Sequence, residues 1–382
     1  MGVFGAFRRR WQRLAVASVV FCVISFSIVS SRGDREHAVR QPAELQKSHP
    51  SLWKHIQSSN IEGGAFYIPP SWLSPSDPKP ATIIEAARLV SRLTANRYKS
   101  RHINNTEIPL IVHQTWKDTH VDTWPELIRN SVEEWLKEVV DTPMAYFLWD
   151  DDGIMQFLEA YEPNFIEHFS ALPRMVEKSD IFRIMVTKYI GGIYGDVDTR
   201  PLRSPATWIG PEDLEPWYDM ETGASYTPTK PVRAIFGIEA DCPPDSNMYW
   251  RMGYTNPVQL TQWALASAPG HPALTWFMQK LYSALNEVAN HHAGNLTTPE
   301  AYQELYYLDP LILTGPDAIT VVLRSWLEDR IGLRWNALTG LYDGGKIPDV
   351  EDTATWDPNQ SPILTRESNI LPKVPGEDSI CA

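Results

Sequence analysis

The sequence predicts an α/β fold in which helices cover a mainly parallel central sheet of the nucleotide-binding type. Apolar runs of strand length recur along the chain and end in polar residues, and stretches with helical spacing separate them. The most informative stretch, residues 179–200, joins a helix to a strand that two aspartates follow. Strands that alternate with helices favour a parallel sheet, and such sheets bind ligands where their strands end.

The first predicted strand is the apolar run Ile108–Val112, which ends in the polar residues His113–Thr115. A predicted helix near residues 125–140 leads to a second strand at Ala145–Trp149. The acidic triplet Asp150–Asp152 then either bonds ribose hydroxyls or, as we favour, caps the next helix. These elements give the sheet two strands that end in polar side chains.

The central stretch reads as a helix, a glycine turn, a strand and a pair of carboxylates. Gly191-Gly192 ends the helix, and Ile193-Tyr194 begins a short strand. Residues two apart in an extended segment point the same way, so Asp196 and Asp198 are predicted to face one site. Paired carboxylates at a nucleotide site suit a hard divalent cation, which favours Mn²⁺ or Mg²⁺. The alternative interpretation is a solvated acidic turn.

Two further segments complete the predicted core. Ala234–Ile238 is another strand, and Glu239 and Asp241 follow it. A helix is predicted from Pro272 to Leu285, and we expect the preceding His271 to position the turn rather than to act as a base.

Composition limits the classes of function. The chain has 382 residues with a formal net charge of −13, and 43% of its residues are hydrophobic. A packed core is therefore expected, and nucleic acid is not an expected partner. Cys242 and Cys381 are the only cysteines outside the amino-terminal apolar run, and whether they pair stays open.

The amino-terminal segment has the pattern of a membrane anchor. Residues 14–31 carry no charge and follow an arginine cluster, so residues 1–13 are predicted to be cytoplasmic and the bulk of the chain lumenal. A cleaved signal peptide is the competing interpretation. Residues 32–105 are predicted to form a stem, which lacks a core as far as about residue 80. A helix near 82–95 begins at a Thr82–Glu85 capping box, and its apolar face is expected to pack on the catalytic domain. The catalytic domain is predicted at 106–345, and an irregular tail at 346–382.

Several ordered motifs resemble one known family. SDIFR, GGIYGDVDT, IPLIVHQTWK and GIEAD are similar to motifs of glycosyltransferase family 32, particularly of the fungal α-1,6-mannosyltransferases that initiate outer chains on N-glycans. The resemblance covers roughly residues 106–330. It implies a GT-A-type fold, transfer of mannose from GDP-mannose to a mannose-rich N-glycan with retention, and dependence on Mn²⁺ or Mg²⁺. It further implies a single-pass type II protein of the Golgi membrane and, as a partner, a Golgi mannosyltransferase complex.

The resemblance also implies roles for individual residues. Asp196 and Asp198 are the expected metal ligands and catalytic residues. Glu239 and Asp241 are further catalytic candidates that would orient the acceptor hydroxyl or line the reacting face. The expected substrate-binding residues are His113, Gln114, Thr115, Asp180, Arg183, Tyr189, Gly192, Gln262 and His271. From spacing alone, Asp180 and Arg183 read equally well as an exposed ion pair.

Other functions stay open at this point. The same family includes transferases that act on inositol phosphoceramide, which would keep the mechanism and change the acceptor. The Asp-x-Asp-x-Thr pattern also resembles that of phosphohydrolases, with Asp196 as nucleophile and Asp198 as acid. Because the tail departs from that of its relatives, a lumenal glycan-binding or scaffold protein without turnover is a third interpretation.

Overall fold

The computed structural model describes residues 42–95, 99–219, 222–227, 230–242 and 248–332. The predicted anchor at 14–31 and the predicted tail at 346–382 lie outside these ranges. Within the described ranges, no helix has the length and apolar character that crossing a membrane requires.

Nine strands lie in these ranges, and α-helices occur in four of the eight connections between them. The strands are β1 Asn60–Ile61, β2 Gly64–Tyr67, β3 Ile111–Thr115, β4 Ala145–Trp149, β5 Gly192–Gly195, β6 Trp217–Tyr218, β7 Ser225–Tyr226, β8 Ala234–Asp241 and β9 Val258–Ser267. The helices are α1 Pro42–Ser48, α2 Pro50–Leu52, α3 Ile83–Leu93, α4 Glu126–Asp141, α5 Asp151–Tyr161, α6 Ile166–Ala171, α7 Met175–Tyr189, α8 Met248–Arg251, α9 Pro272–His291, α10 Pro299–Tyr307, α11 Pro310–Leu313 and α12 Pro316–Trp326.

The central sheet is mixed, which corrects the prediction of a mainly parallel sheet. Its seven strands lie in the order β1-β2-β4-β3-β5-β9-β8. Only the inner strands β4, β3 and β5 pair in parallel, and every other pairing among the described strands is antiparallel. An apolar run shows that a strand is buried but carries no information on its direction, so the sequence pattern did not reveal the antiparallel flanks.

The region predicted as a stem without a core is folded onto the sheet. Strand β2 pairs with β4 from Gly64–Trp149 to Tyr67–Tyr146. Helices α1 and α2 and the π-helical turn that follows place Leu45, Leu52 and Ile56 fully inside the main hydrophobic cluster. The prediction of a stem without a core is therefore wrong for residues 42–80, because a few large apolar side chains anchor a segment that is otherwise rich in proline and polar residues.

Helix α3 begins at the predicted cap. The N–H of Glu85 donates to the Thr82 hydroxyl at 3.2 Å, while the Glu85 carboxylate accepts from the N–H of Ala81 at 2.7 Å. Its apolar face, which includes Ile83, Ala87 and Val90, is buried as predicted. Asp150 accepts from the N–H of Gly153 at 2.8 Å at the start of α5, which confirms the cap favoured for that aspartate.

Helices on both faces of the sheet position the functional edge. The β3-to-β4 connection contains α4, and the β4-to-β5 connection returns across β3 through α5 to α7. Because parallel crossovers are almost always right-handed, connections that run in opposite directions place their helices on opposite faces. The carboxyl ends of β3 and β5 therefore open between α4 and α7.

Candidate active site

The two aspartates lie on a tight turn, which we call the acid turn and define as Asp196–Thr199. Strand β5 ends at Gly195, and the N–H of Thr199 donates to the carbonyl of Asp196 at 3.0 Å. The Thr199 hydroxyl donates to the same carbonyl at 2.6 Å. The segment is therefore not extended, and the argument that Asp196 and Asp198 point the same way by strand alternation is wrong.

Neighbouring strands hold the backbone of the acid turn. The Gln114 amide donates to the carbonyls of Gly195 and Asp196 at 3.3 and 3.1 Å, and its oxygen accepts from the Tyr146 hydroxyl at 2.7 Å. On the other side, the N–H of Asp196 donates to the carbonyl of Trp263 at 2.9 Å. Gln114 is fully buried, and its hydrogen bonds link the acid turn to β3 and β4.

Arg183 joins two carboxylates from different elements. Its Nη1 lies 3.1 Å from Oδ1 of Asp180, and its Nη2 lies 3.2 Å from Oδ1 of Asp196. Its guanidinium also lies over the ring of Tyr194, 5.4 Å from the centroid. Only 7% of Arg183 and 4% of Asp180 are exposed. The interpretation of these two residues as an exposed ion pair is therefore wrong.

Burial and pairing set the protonation of this cluster. Burial raises the pKa of Asp180, and the charge of Arg183 opposes that shift. The pKa of Asp196 is raised for the same reason and opposed by the same guanidinium. Burial disfavours the cation of Arg183, yet Asp196 and Asp180 outweigh it and raise its pKa. Arg183 thus stays a cation, and its charge opposes the effect of burial that raises the pKa of Asp180 and Asp196.

Asp180 is held from a third direction by the segment after α11. The Thr314 hydroxyl donates to Oδ2 of Asp180 at 2.9 Å, so both oxygens of Asp180 are occupied. The Gln262 amide donates to the carbonyls of Asp180 and Thr314, while its own Oε1 is buried without a partner among the described residues. The predicted residues Asp180, Arg183, Gln262 and Asp196 therefore form one connected cluster.

Asp198 has different surroundings from Asp196. Its side chain is exposed and lines a cavity that α4 also lines. The described residues contain no group of three or more His, Cys, Asp or Glu side chains arranged to hold a metal ion. Mg²⁺ and similar hard cations are commonly held by one or two carboxylates plus substrate phosphates, so an exposed Asp198 beside Asp196 fits such a cation.

Glu239 is held beside the acid turn by strand β9. The Trp263 indole donates to Oε1 of Glu239 at 3.2 Å, and the Gln259 amide donates to Oε2 at 2.8 Å. Because the carbonyl of Trp263 also accepts from Asp196, Glu239 and Asp196 contact the same residue. Asp241 is exposed two residues further along β8.

The remaining predicted residues have positioning contacts. His113 is fully buried, with Nε2 donating to the carbonyl of Gly191 at 3.0 Å and Nδ1 accepting from the Trp149 indole at 3.2 Å. An indole N–H can only donate, so this contact fixes the tautomer. Burial lowers the pKa of His113 to about 4. Thr115 is bonded to the Tyr194 hydroxyl at 3.0 Å.

Tyr189, Gly192 and His271 lie near the amino end of β5, whereas the acid turn follows its carboxyl end. Tyr189 ends α7 and donates to Glu162, whereas Gly192 begins β5. His271 caps α9 by accepting from the N–H of Ala273 at 3.3 Å, as its expected positioning role requires. The structure does not bring these three residues to the acid turn.

Sequence reasoning missed several residues that hold the site. Tyr194 was treated only as a strand residue, although it lies two positions before Asp196 and this spacing predicts a shared face. Gln259 and Thr199 carried no comparable signal. Gln259 acts through its contact with Glu239 on another strand. Thr199 acts through a contact with the distant Trp135 and through a turn whose geometry the spacing does not reveal.

The acid turn lies in a part of the chain that matches a known family model. Residues 125–215 match the family model described as the glycosyltransferase sugar-binding region containing a DXD motif. The matched range begins at α4 and ends beyond the acid turn. Together with the relatives below, it confirms the predicted resemblance to fungal mannosyltransferases of glycosyltransferase family 32.

Three curated relatives indicate where the similarity lies. The initiation-specific alpha-1,6-mannosyltransferase of Saccharomyces cerevisiae is 32% identical over 186 residues, covering 44% of this chain and 38% of that protein. The protein of the same name from Candida albicans is 25% identical over 357 residues, covering 88% of this chain and 85% of that protein. Inositol phosphoceramide mannosyltransferase 1 of Schizosaccharomyces pombe is 31% identical over 132 residues, covering 33% of this chain and 40% of that protein.

The chain spans about two fifths of the length of the Saccharomyces and Schizosaccharomyces relatives. Among solved structures, the PaToxG glycosyltransferase matches with a TM-score of 0.34 and 16% identity, over 67% of this chain and 84% of that chain. This TM-score is too low to establish a shared fold.

Proposed function

We propose that this protein is a metal-dependent, retaining glycosyltransferase of the GT-A type that moves mannose from GDP-mannose to a mannose-rich protein N-glycan. One observation carries the proposal: the acid turn lies at the carboxyl end of an inner parallel strand, inside the range that matches the glycosyltransferase family. The similarity to mannosyltransferases supports the choice of sugar.

The site offers what such a reaction demands. Asp198, with Asp196, would hold Mn²⁺ or Mg²⁺, which when bound offsets the charge of the diphosphate leaving group. Arg183 orients the Asp196 carboxylate, while Gln114 and Thr199 fix the backbone of the turn. Because these contacts are made before substrate arrives, the site does not have to reorganise when charge develops.

The transfer itself exchanges one bond for another at the anomeric carbon. The bond from that carbon to the diphosphate oxygen breaks, a bond to the acceptor hydroxyl oxygen forms, and the hydroxyl proton goes to the departing diphosphate. A front-face reaction of this kind needs no separate strong base. Glu239, oriented by Trp263 and Gln259, is the carboxylate we assign to positioning the acceptor hydroxyl.

The cellular setting belongs to the same proposal. The uncharged segment 14–31 after the arginine cluster supports a single-pass type II protein of the Golgi membrane with a lumenal catalytic domain. A Golgi mannosyltransferase complex is the corresponding partner. Protease protection of sealed vesicles tests this arrangement, because a chain that is fully digested has no lumenal domain.

An acceptor of another class has specific support. The similarity to an inositol phosphoceramide mannosyltransferase makes a sphingolipid headgroup the second candidate acceptor. Transfer to inositol phosphoceramide but not to a glycan would keep the donor and replace the acceptor. A protein that binds glycan but transfers no sugar would be the lumenal scaffold considered from the sequence.

The decisive experiment uses the full-length chain with Mn²⁺. The chain is incubated separately with GDP-mannose, UDP-galactose and UDP-glucose, each with an N-glycan and with inositol phosphoceramide. The anomeric proton of any product is then read by NMR. We expect an α-mannoside from GDP-mannose, and a β-linked product or transfer only from a UDP-sugar would refute the proposal.

A further inference from the structure

A cavity of about 490 Å³ opens beside the acid turn, between the end of α1, one face of α4 and residues 198–200. Small-molecule sites commonly occupy about 300–1,000 Å³, so this cavity is large enough for a ligand. Asp198 lines it, and its occupant would therefore lie next to the proposed reaction centre. We propose that this cavity binds the acceptor as a neutral mannose oligosaccharide. The inference rests on the proposed function and adds the place where the acceptor is held.

The charges of the cavity favour a neutral ligand over a nucleoside diphosphate. Lys137 lies 3.6 Å from the Glu133 carboxylate, and Arg200 lies 3.8 Å from the Glu134 carboxylate. Each cation of the lining is thus matched by a carboxylate, and Asp198 adds a further negative charge. A diphosphate would meet no surplus of positive charge here, whereas sugar hydroxyls can bond both donors and acceptors.

One face of α4 supplies most of the polar wall. Leu127, Asn130, Glu134 and Lys137 follow one another at intervals of three or four residues, which places them on one side of the helix. Oδ1 of Asn130 lies 2.9 Å from Nε2 of His49. This contact occupies the amide oxygen and fixes the amide plane, so the Asn130 nitrogen is held as a donor for a ligand hydroxyl.

The opposite wall comes from outside the range that matches the family. Ser48 and His49 line the cavity, and His49 is only 4% exposed. The Glu133 carboxylate, 3% exposed, accepts from the N–H groups of Ser51 and Leu52 at 3.2 and 2.7 Å and so ties this segment to α4. The folded segment before the family region thus gives the cavity a wall of its own, which suits discrimination between acceptors.

The test compares two asparagines that make the same contact in different places. Asn130 and Asn286 are both exposed helical residues whose Oδ1 bonds a histidine, at 2.9 Å to His49 and at 2.8 Å to His168. Only Asn130 lines the cavity. Asn130→Ala, Asn130→Trp and the matched Asn286→Ala and Asn286→Trp variants are made in the full-length chain. Binding of α-mannotriose and of GDP is then measured by ligand-observed NMR.

We expect Asn130→Ala to weaken α-mannotriose binding about three- to tenfold, as the loss of one hydrogen bond predicts. Asn130→Trp places a bulky ring in the cavity and should weaken that binding further, while both Asn286 variants bind as the wild type does. In transfer assays, Asn130→Ala should raise the KM for acceptor far more than the KM for GDP-mannose. Glu134→Gln, an isosteric change on the same wall, provides a second variant if the Asn130 variants unfold.

Distinct results overturn the inference and the proposed function. If the wild type transfers sugar but the Asn130 and Glu134 variants match it, the acceptor binds elsewhere and only the inference fails. Loss of GDP binding instead of α-mannotriose binding would make the cavity a donor site. If α-mannotriose binding depends on Asn130 but no donor is turned over, the site stands and the proposed function fails.

Discussion

At the scale of single residues, the site is organised around one buried cation between two carboxylates. Arg183 contacts Asp180 on its own helix and Asp196 on the acid turn. The sequence predicted that all three residues belong to the site, because they occur in the motifs SDIFR and GDVDT. It could not predict their mutual contact, because Asp196 meets Arg183 only after the glycine turn brings β5 back alongside α7.

Asp198→Asn is expected to abolish sugar transfer and leave the melting temperature unchanged. Asp198 is exposed, so its charge contributes to the site rather than to the core. Transfer rates measured over a Mn²⁺ titration check this. Asp141→Asn, at an exposed position at the end of α4, is the control and should behave as the wild type does. A wild-type rate with unchanged Mn²⁺ dependence in Asp198→Asn would reject the metal assignment.

Arg183→Met is expected to lower the free energy of unfolding by about 3 kcal/mol, because it leaves two carboxylates without their buried cation. Urea unfolding of variant and wild type measures the difference. Arg324→Met removes an exposed ion pair with Glu328, where the arginine side chain is 49% exposed, and should cost under about 1 kcal/mol. Equal losses in the two variants would show that the Arg183 bridge does not stabilise the fold.

The buried imidazole of His113 makes stability depend on pH. Its pKa is lowered by burial from 6.5 to about 4. Between these two pH values the unfolded chain binds a proton at His113 and the folded chain does not. The stabilisation is complete above pH 6.5 and is lost as the pH falls towards 4, by about 3 kcal/mol in total. Urea unfolding between pH 7 and pH 4.5 should therefore show a steeper loss for the wild type than for His113→Asn. Parallel losses would contradict the assignment.

At the scale of elements, the sequence predicted the inner strands and their helices more accurately than the flanks. β4 is a continuous apolar run and β5 has an apolar centre, as is typical of strands buried on both faces. β3 begins inside the predicted run Ile108–Val112 but continues through His113–Thr115, which the sequence placed after the strand. Strand β9 was missed because Gln259, Thr261, Gln262 and Ser267 make it look polar, although all four are buried and bonded to other elements or to neighbouring backbone. A buried strand that contains several polar residues lacks the hydrophobic pattern by which strands are predicted from sequence.

The contact between α4 and α2 is expected to control the order of the amino-terminal segment. Glu133→Ala leaves the N–H groups of Ser51 and Leu52 without their carboxylate, which should cost about 2 kcal/mol. Amide hydrogen exchange in residues 42–57 should accelerate more than exchange in β3 to β5. Lys137→Ala removes the exposed partner of Glu133 and serves as the control. Unchanged exchange in residues 42–57 would show that other contacts hold the segment.

At the scale of the whole molecule, residues 42–95 belong to the same core as the family region. For residues 42–80 the apolar composition is too sparse to predict this, since Leu45, Leu52 and Ile56 stand among polar and proline residues. Their contribution to stability depends on their burial in the main hydrophobic cluster, and the sequence alone does not show that burial. The similarity to the Candida protein likewise extends beyond the range that matches the family model, over 88% of this chain.

Leu52→Ala tests this unity directly. Leu52 is fully buried, and its truncation should lower the free energy of unfolding by about 3 kcal/mol in one cooperative transition. Leu73→Ala, where the side chain is 41% exposed, should change stability by less than about 1 kcal/mol. An early separate transition, or no loss for Leu52→Ala, would mean that the segment is independent of the core.

The described sheet ends in two strands that are poor templates for association with other chains. On one side β1 contributes only Asn60 and Ile61. On the other, the register of β8 shifts between Phe236 and Ile238 and again between Ile238 and Ala240. A foreign strand would find either too short a row of hydrogen-bonding groups or a bent one, which is how natural sheets avoid joining edge to edge. We therefore expect the folded chain to resist aggregation through β-pairing even at high concentration.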